Sequence, residues 1–258
     1  MSRLPPAFHD AGHGYDVFGL EPRAVQRAAA LCRPIYRHYF RATSVGIEHV
    51  PTSGAAILVA NHAGTLPIDG GMLWLDVLER TGRVLRPVAD FFVSSFPIIN
   101  TAFARVGVVG GTRGNVRRLL DDGELIAIFP EGVTGVAKPF RERYRLQAWR
   151  VGHAELAIRH RVPIVPVAII GAEESWPIAL RLRHIRAFGA PYLPIPASPL
   201  PLPVRYHFHY GIPIEVGRDL PAEAADDPTV VSAAADRIRD ALTDLIAAGL
   251  RARREGRP

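Results

Sequence analysis

A chain of 258 residues fits one large domain or a domain with a short appendage, and 48% hydrophobic against 22% charged residues excludes wholesale disorder. No run approaches the roughly 20 apolar residues that span a bilayer and no N-terminal stretch reads as a signal peptide, so a location in the cytosol or on the cytoplasmic face of the membrane is expected; the single cysteine, Cys32, excludes an internal disulfide. The net charge of +6 is almost all arginine, because Lys138 is the only lysine; arginine's planar fork favours phosphate-bearing partners, and 8% aromatics with no base-stacking basic strand set nucleic acid behind anionic lipid or a phosphorylated small molecule.

Residues 1–21 are glycine- and proline-spaced and read as an irregular arm, in which His9, Asp10, His13 and Asp16 have metal-ligand chemistry but a terminal arm of this kind does not enforce a site geometry. A helix is predicted from Pro22 to Ala42 with a kink at Pro34. At 100° per residue it places Ala24, Ala28, Leu31, Ile35 and Tyr39 on one side and Arg23, Arg27, Arg33, Arg37 and Arg41 on another. Such a helix suits an anionic membrane interface or a surface packed on its own domain, and both readings stay open here. Residues 1–43 are therefore expected to form an arm and basic helix ahead of a domain at 44–258.

From residue 51 onward, short apolar runs separated by helical or glycine-rich segments predict an α/β fold. Strands are expected at 55–60, 85–91, 106–109, 124–129, 163–170 and 204–214, and helices at 69–79, 115–120 and 147–160. The proline-rich stretch 190–203 reads as an extended connection. A final helix is capped by Asp227 and opened by Pro228, with Val231, Ala235, Ile238, Leu242, Leu245 and Leu250 as its buried stripe.

Three segments follow apolar runs and carry chemistry. Ala55 to Asp69 takes a buried strand directly into Asn61 and His62, at the strand end where ligands bind in open α/β sheets. A histidine there can accept a proton near neutral pH, and Asp69 is the nearest carboxylate able to fix its tautomer. Phe129-Pro-Glu-Gly-Val-Thr-Gly135 places Glu131 and Gly132 at a second strand end. Gly107 to Asn115 joins a short apolar run to a helix start, where backbone amides and Arg113 can hold an anion. Lys138, Arg141, Arg143 and Arg145 add cations able to cup a phosphate or coenzyme A moiety, or to form a solvated loop. If the strands run parallel, base, acid and arginine share one edge of the sheet. His207 and His209 alternate onto one side of a later strand as a metal pair or as half-buried strand residues.

Together these segments resemble the lysophospholipid acyltransferase family of glycerolipid acyltransferases. Asn61-His62 through Asp69 resembles its first motif, Gly107 through Arg113 its second, Phe129 to Gly132 its third and Val162 to Pro166 its fourth. The resemblance implies a single α/β domain with a mixed, largely parallel sheet flanked by helices. It also implies transfer of a fatty acyl group from acyl-CoA or acyl carrier protein, used as co-substrate with no bound cofactor or metal, to a hydroxyl of a lysophospholipid-like or glycerolipid acceptor at an anionic membrane surface. His62 would be the general base and Asp69 its orienting acid, while Arg113, Glu131, Gly132, Lys138 and Arg141 would bind substrate. The chain departs from the family pattern in three places. Six residues separate His62 from Asp69 where four are usual, Gly110-Gly111 replaces an aromatic-aliphatic pair, and Val133 and Thr134 stand where the family has Thr-Arg. The first departure leaves a catalytically silent lipid-binding module as the alternative. A serine esterase or thioesterase lacks its Gly-x-Ser-x-Gly signature, since Ser94 and Ser95 have no flanking glycines.

Overall fold

A computed structural model describes residues 8–63, 67–90, 97–136, 138–182 and 192–256. Ser94, Ser95, the last residue of the expected 85–91 strand and the start of the 190–203 connection lie outside them. In chain order the elements are α1 (Pro22–Pro34), β1 (Thr43–Val45), β2 (Ala56–Ala60), α2 (Ile68–Thr81), β3 (Arg86–Ala89), α3 (Pro97–Arg105), β4 (Val109–Gly110), α4 (Arg113–Asp121), β5 (Leu125–Ile128), the single turn α5 (Val133–Val136), α6 (Gly152–His160), β6 (Ile164–Ile170), the single turn α7 (Ala172–Ser175), β7 (Ile178–Leu182), β8 (Leu193–Pro196), β9 (His207–Tyr210) and α8 (Pro228–Arg254).

The main sheet has the order β1-β9-β6-β2-β5-β3-β4. The five strands from β6 to β4 are mutually parallel, β9 runs antiparallel to β6, and β1 runs with β9. This is the α/β fold that the short apolar runs predict, with the mixed, largely parallel sheet that the family resemblance implies. β2 and β6 are buried along their whole length, as strands covered on both faces must be, which explains their unbroken apolar sequences.

Alternation along β2 divides the core. Leu58 and Ala60 point into a layer filled by α1 and α2, whereas Ile57 and Val59 point into a layer filled by α4, α6 and α8. The second half of α8 covers β6 through Leu242 and Ile246. Asp227 caps α8 by accepting the amide of Thr229 at 2.8 Å, and Pro228 occupies its first turn. Val231, Ala235, Ile238 and Leu242 are its buried stripe as expected, but Ile246 and Gly249 complete it in place of Leu245 and Leu250.

The N-terminal helix departs further from its prediction. Its buried face is Val25, Ala29, Tyr36 and Phe40, while Leu31, Ile35 and Tyr39 face outward. Pro34 has no N–H to donate, and the chain passes it into a π-helical turn over Ile35–Tyr39, while the buried stripe already runs one position later than expected at Val25 and Ala29. Arg33 and Arg37 both pair with Glu79, at 2.7 and 2.8 Å, and Arg41 bonds the carbonyl of Pro203. Three of the five predicted surface arginines are therefore held by the domain itself.

Other differences are local. β1 is too short for periodicity to reveal, and α3 and the β7–β8 hairpin also have no counterpart among the expected elements. The 147–160 helix begins only at Gly152, because residues before it wrap around the end of β5. The 204–214 strand is confined to His207–Tyr210.

Candidate functional site

β2 delivers His62 to the carboxyl edge of the parallel strands, and the chain returns through Pro67 to open α2 with Asp69 in its first turn. The helix N-terminus favours a carboxylate at this position. Asp69 is 1% exposed, and its Oδ1 accepts the amide of Gly70 at 2.8 Å while its Oδ2 accepts the amide of Ala63 at 2.8 Å. The same Oδ2 lies 2.7 Å from His62 Nδ1. A carboxylate only accepts hydrogen bonds, so Nδ1 carries the hydrogen and Nε2 is left as the basic nitrogen. The six-residue spacing thus closes into a His-Asp pair, because the Ala63 amide and the ring share one carboxylate oxygen. Phe129 stacks on the imidazole with ring centroids 4.3 Å apart, fixing its plane.

The neighbouring strand end brings Glu131 beneath this pair. Its Oε1 accepts the backbone amide of His62 at 3.1 Å, and its Oε2 accepts the amide of Gln147 at 2.7 Å. Oε2 also lies 3.2 Å from Lys138 Nζ, whose other carboxylate partner is Glu173 Oε1 at 3.2 Å. Glu131 is 2% and Lys138 5% exposed. Burial works against the charge of Lys138, but Glu173 and Glu131 more than offset it and its pKa is raised. Glu173 is pushed up to about 7 by burial, against the pull of Lys138. Gly135 packs against Glu131 so closely that a Cβ there would fall 2.7 Å from the Glu131 Cβ.

The seven predicted site residues therefore separate. His62, Asp69, Glu131 and Lys138 are joined by direct contacts, and Gly132 stands next to them at a φ of +53°. Arg113 sits exposed at the start of α4, three strand positions from β2, or about 14 Å at the strand spacing. Arg141 is exposed and, among the described residues, pairs with its neighbour Glu142 at 3.7 Å. Of the second motif, Gly107 serves packing: at φ +100° it leaves room for Leu20, and its carbonyl accepts from Arg86 Nε at 3.0 Å.

Two participants are absent from the sequence reading. Arg150 packs its guanidinium on Gly132, where a Cβ would meet Cζ at 3.3 Å, and lies 3.6 Å from Asp90 beyond β3. Glu173 follows β6. No motif marks either residue; the only sequence signal is that each lies just past an apolar run or ahead of a helix start.

The remaining candidates are occupied elsewhere. Asp10 accepts three amides of its own turn, and Asp16 pairs with buried Arg86 at 2.7 Å, which also meets Glu124 at 3.0 Å. No group of three or more side chains placed to hold a metal ion is present among the described residues. His207 and His209 lie buried on β9, where His207 bonds Thr43 Oγ1 at 2.9 Å and burial pushes its pKa down to about 4. No helix among the described residues is long and apolar enough to cross a membrane.

Comparisons with known proteins give the family and the fold. An uncharacterized protein of Mycobacterium tuberculosis is 37% identical over 246 residues, covering 89% of this chain and 68% of its own length. A bovine protein named DGAT1/2-independent enzyme synthesizing storage lipids is 29% identical over 207 residues, which are 78% of this chain and 58% of that protein. The crystal structure of the 1-acyl-sn-glycerophosphate (LPA) acyltransferase PlsC from Thermotoga maritima shares the fold with a TM-score of 0.51 at 18% identity, covering 83% of this chain and 77% of that one. The family model described as Acyltransferase matches residues 41–170, a span that runs from β1 to the end of β6 and contains His62, Asp69, Glu131 and Lys138; the chain belongs to the Acyltransferase family.

Proposed function

We propose that this acyltransferase moves a fatty acyl group from a thioester, acyl-CoA or acyl carrier protein, to a hydroxyl of a glycerolipid or lysophospholipid-like acceptor, with His62 as the general base. The observation that carries this reading is the 2.7 Å contact between His62 Nδ1 and Asp69 Oδ2 at the carboxyl edge of the sheet. In the reaction Nε2 removes the acceptor O–H proton, the oxygen bonds to the thioester carbonyl carbon, and the C–S bond breaks. The leaving thiolate takes the proton from the imidazolium. Asp69 stabilises that imidazolium, and general acid–base assistance of this kind supplies about a hundredfold to ten-thousandfold in rate. Glu131 positions the His62 backbone, and the exposed guanidiniums of Arg150 and Arg113 supply cations for an anionic donor.

Lipid substrates place the enzyme at a membrane surface. Arg23, Arg27, Leu31, Ile35 and Tyr39 recur every fourth residue and all are exposed, forming one basic and apolar ridge along the N-terminal helix that suits an anionic interface. The names of the bovine relative and of the Thermotoga enzyme favour glycerolipid acceptors. A silent lipid-binding module rests on the unusual His-Asp spacing, and the closed pair argues against it. The test is incubation of purified protein with labelled oleoyl-CoA and a panel of lysolipids and glycerides: acylated product is expected, and its loss in His62→Ala with the fold retained. Equal product from His62→Ala would remove the imidazole from the mechanism.

A further inference from the structure

Tyr39, the last residue of the exposed ridge on the N-terminal helix, donates its hydroxyl hydrogen to the carbonyl of Pro201 at 2.6 Å. That bond joins the ridge to Ser198-Pro-Leu-Pro-Leu-Pro203, in which proline alternates with leucine. The segment crosses the carboxyl edge of the sheet just past β6: the amide of Leu202 donates to the carbonyl of Ser175, and the indole N–H of Trp176 donates to the carbonyl of Ser198 at 2.9 Å. Trp176 and Ala63, the residue after the base, line one small recess, so the segment reaches the mouth of the candidate site. Leu200 and Leu202 face outward, 72% and 43% exposed. The backbone that carries them asks little of water. Pro199, Pro201 and Pro203 have no N–H. The carbonyls of Ser198, Leu200, Pro201, Leu202 and Pro203 accept in turn from the Trp176 indole, the Ser198 hydroxyl, the Tyr39 hydroxyl, the Val204 amide and the Arg41 guanidinium. An exposed chain whose polar groups are satisfied from within, and whose leucines turn out, suits a medium that cannot hydrogen-bond. Arg41 and Arg205, both exposed, flank it with positive charge.

We propose that this proline-leucine segment enters the apolar interface of an anionic bilayer, turning the carboxyl edge of the sheet toward the membrane so that a lipid acceptor reaches His62 without passing through bulk water. The proposal rests on the reading of acyl transfer at a membrane surface given above, and adds the element that docks and the edge it presents. The ridge on the N-terminal helix leaves that orientation open, since one helix lying along a membrane lets the domain roll about its axis. A second contact at the edge of the sheet removes the freedom. Three prolines fix φ along the segment, so little chain entropy is lost when its leucines enter lipid. The flanking arginines match the charge of anionic headgroups.

The experiment attaches an environment-sensitive nitrobenzoxadiazole label to Leu200→Cys or to Ile212→Cys, each in a Cys32→Ser background so that one thiol is present. Ile212, 74% exposed, follows β9 at the opposite, amino edge of β6. When phosphatidylglycerol vesicles are added to the full chain, the label at 200 is expected to shift to the blue and to be quenched by brominated acyl chains, while the label at 212 stays as in buffer. Leu200→Ser combined with Leu202→Ser is expected to weaken vesicle partitioning by about tenfold or more, the scale of two leucines withdrawn from an apolar contact. Vesicle binding with an unshifted label at 200, equal shifts at both positions, or undiminished partitioning of the serine pair overturns the inference. So does a blue shift at 200 that grows with protein concentration in the absence of lipid, which would make this surface a contact between copies of the chain. If the parent protein binds no vesicles, membrane docking as a whole falls with it. None of these readouts needs turnover, so a failure of docking and a failure of acyl transfer are told apart.

Discussion

Glu131 Oε1 accepts the backbone amide of His62 across the boundary between β5 and β2, at 3.1 Å. This one bond couples two segments that lie 69 residues apart in the chain. Because the other oxygen of Glu131 is held by Lys138 and by the Gln147 amide, the backbone carrying the base cannot shift without disturbing a buried ion pair. The Glu131 carboxylate of the Phe-Pro-Glu-Gly sequence thus faces His62, Gln147 and Lys138 rather than solvent.

Glu131→Ala would strand the Lys138 ammonium with Glu173 alone and leave two amides unpaired. A loss of about 3–5 kcal/mol in unfolding free energy is expected, as for a buried pair robbed of one partner. Glu131→Gln keeps one acceptor oxygen and the side-chain volume but turns an NH2 toward the donors of the other site, so its loss should be smaller than that of the Ala variant without vanishing. Urea unfolding of the two variants checks this, and equal stability of Glu131→Ala and the parent would show that the pair contributes nothing.

Asp69→Asn is expected to lower kcat while leaving KM for acyl-CoA near its original value. The amide can donate to Nδ1, which reverses the tautomer and places the hydrogen on Nε2. A fall of about a hundredfold or more is the expected scale for a misoriented base. Steady-state kinetics with thermal melting as a fold control measures it; an unaltered kcat would show that the ring does not depend on this carboxylate.

Membrane contact is tested best on residues that the domain does not use. Leu31→Glu combined with Ile35→Glu should reduce sedimentation with anionic phosphatidylglycerol vesicles while leaving Tm in place, because both side chains already face outward. Arg33→Glu is the contrasting change: it sets like charges together at Glu79 and should lower Tm. Undiminished vesicle binding by the Leu31/Ile35 pair would exclude this ridge as the docking surface.

His153 sits on α6, 2% exposed, with its ring edge-on to Trp149 at 5.5 Å. Burial pushes its pKa down from 6.5 to about 4. The unfolded chain therefore binds the proton first as pH falls, so the stability contributed by the neutral ring is present above pH 6.5 and lost between about 6.5 and 4. His153→Phe should flatten that part of the stability-versus-pH curve relative to the parent protein. Parallel slopes for both proteins in urea titrations from pH 7 to pH 4 would refute the assignment; Glu173, pushed up to about 7, contributes an opposite slope common to both.

Much of the fold is legible from local chemistry alone. β2 and β6 declare themselves as unbroken apolar runs because parallel strands are buried on both faces, and α8 is marked at its start because Asp227 and Pro228 satisfy the conditions of a helix N-terminus. The pairing of His62 with Asp69 is also accessible, since both lie on one strand-to-helix connection. Elements without periodicity were hidden: β1 has only three residues, and its strand character depends on β9. The burial of α1 was misplaced by one position from Val25 onward, because only contact with the rest of the domain decides which of two adjacent faces, both carrying alanine, is covered.

What the sequence determined by itself was the class of structure and the chemical types at the edge of the sheet, because strand burial, helix capping and residue chemistry are properties of short segments. Only the tertiary structure decided which of those groups meet. Strand order placed Glu131 and Glu173 on either side of His62 and left Arg113 at the far edge, and it buried the only lysine between two carboxylates instead of offering it to a ligand. The physical reason is that ion pairing in a low-dielectric interior depends on distances of a few ångströms between residues far apart in the chain, and no local pattern encodes those distances.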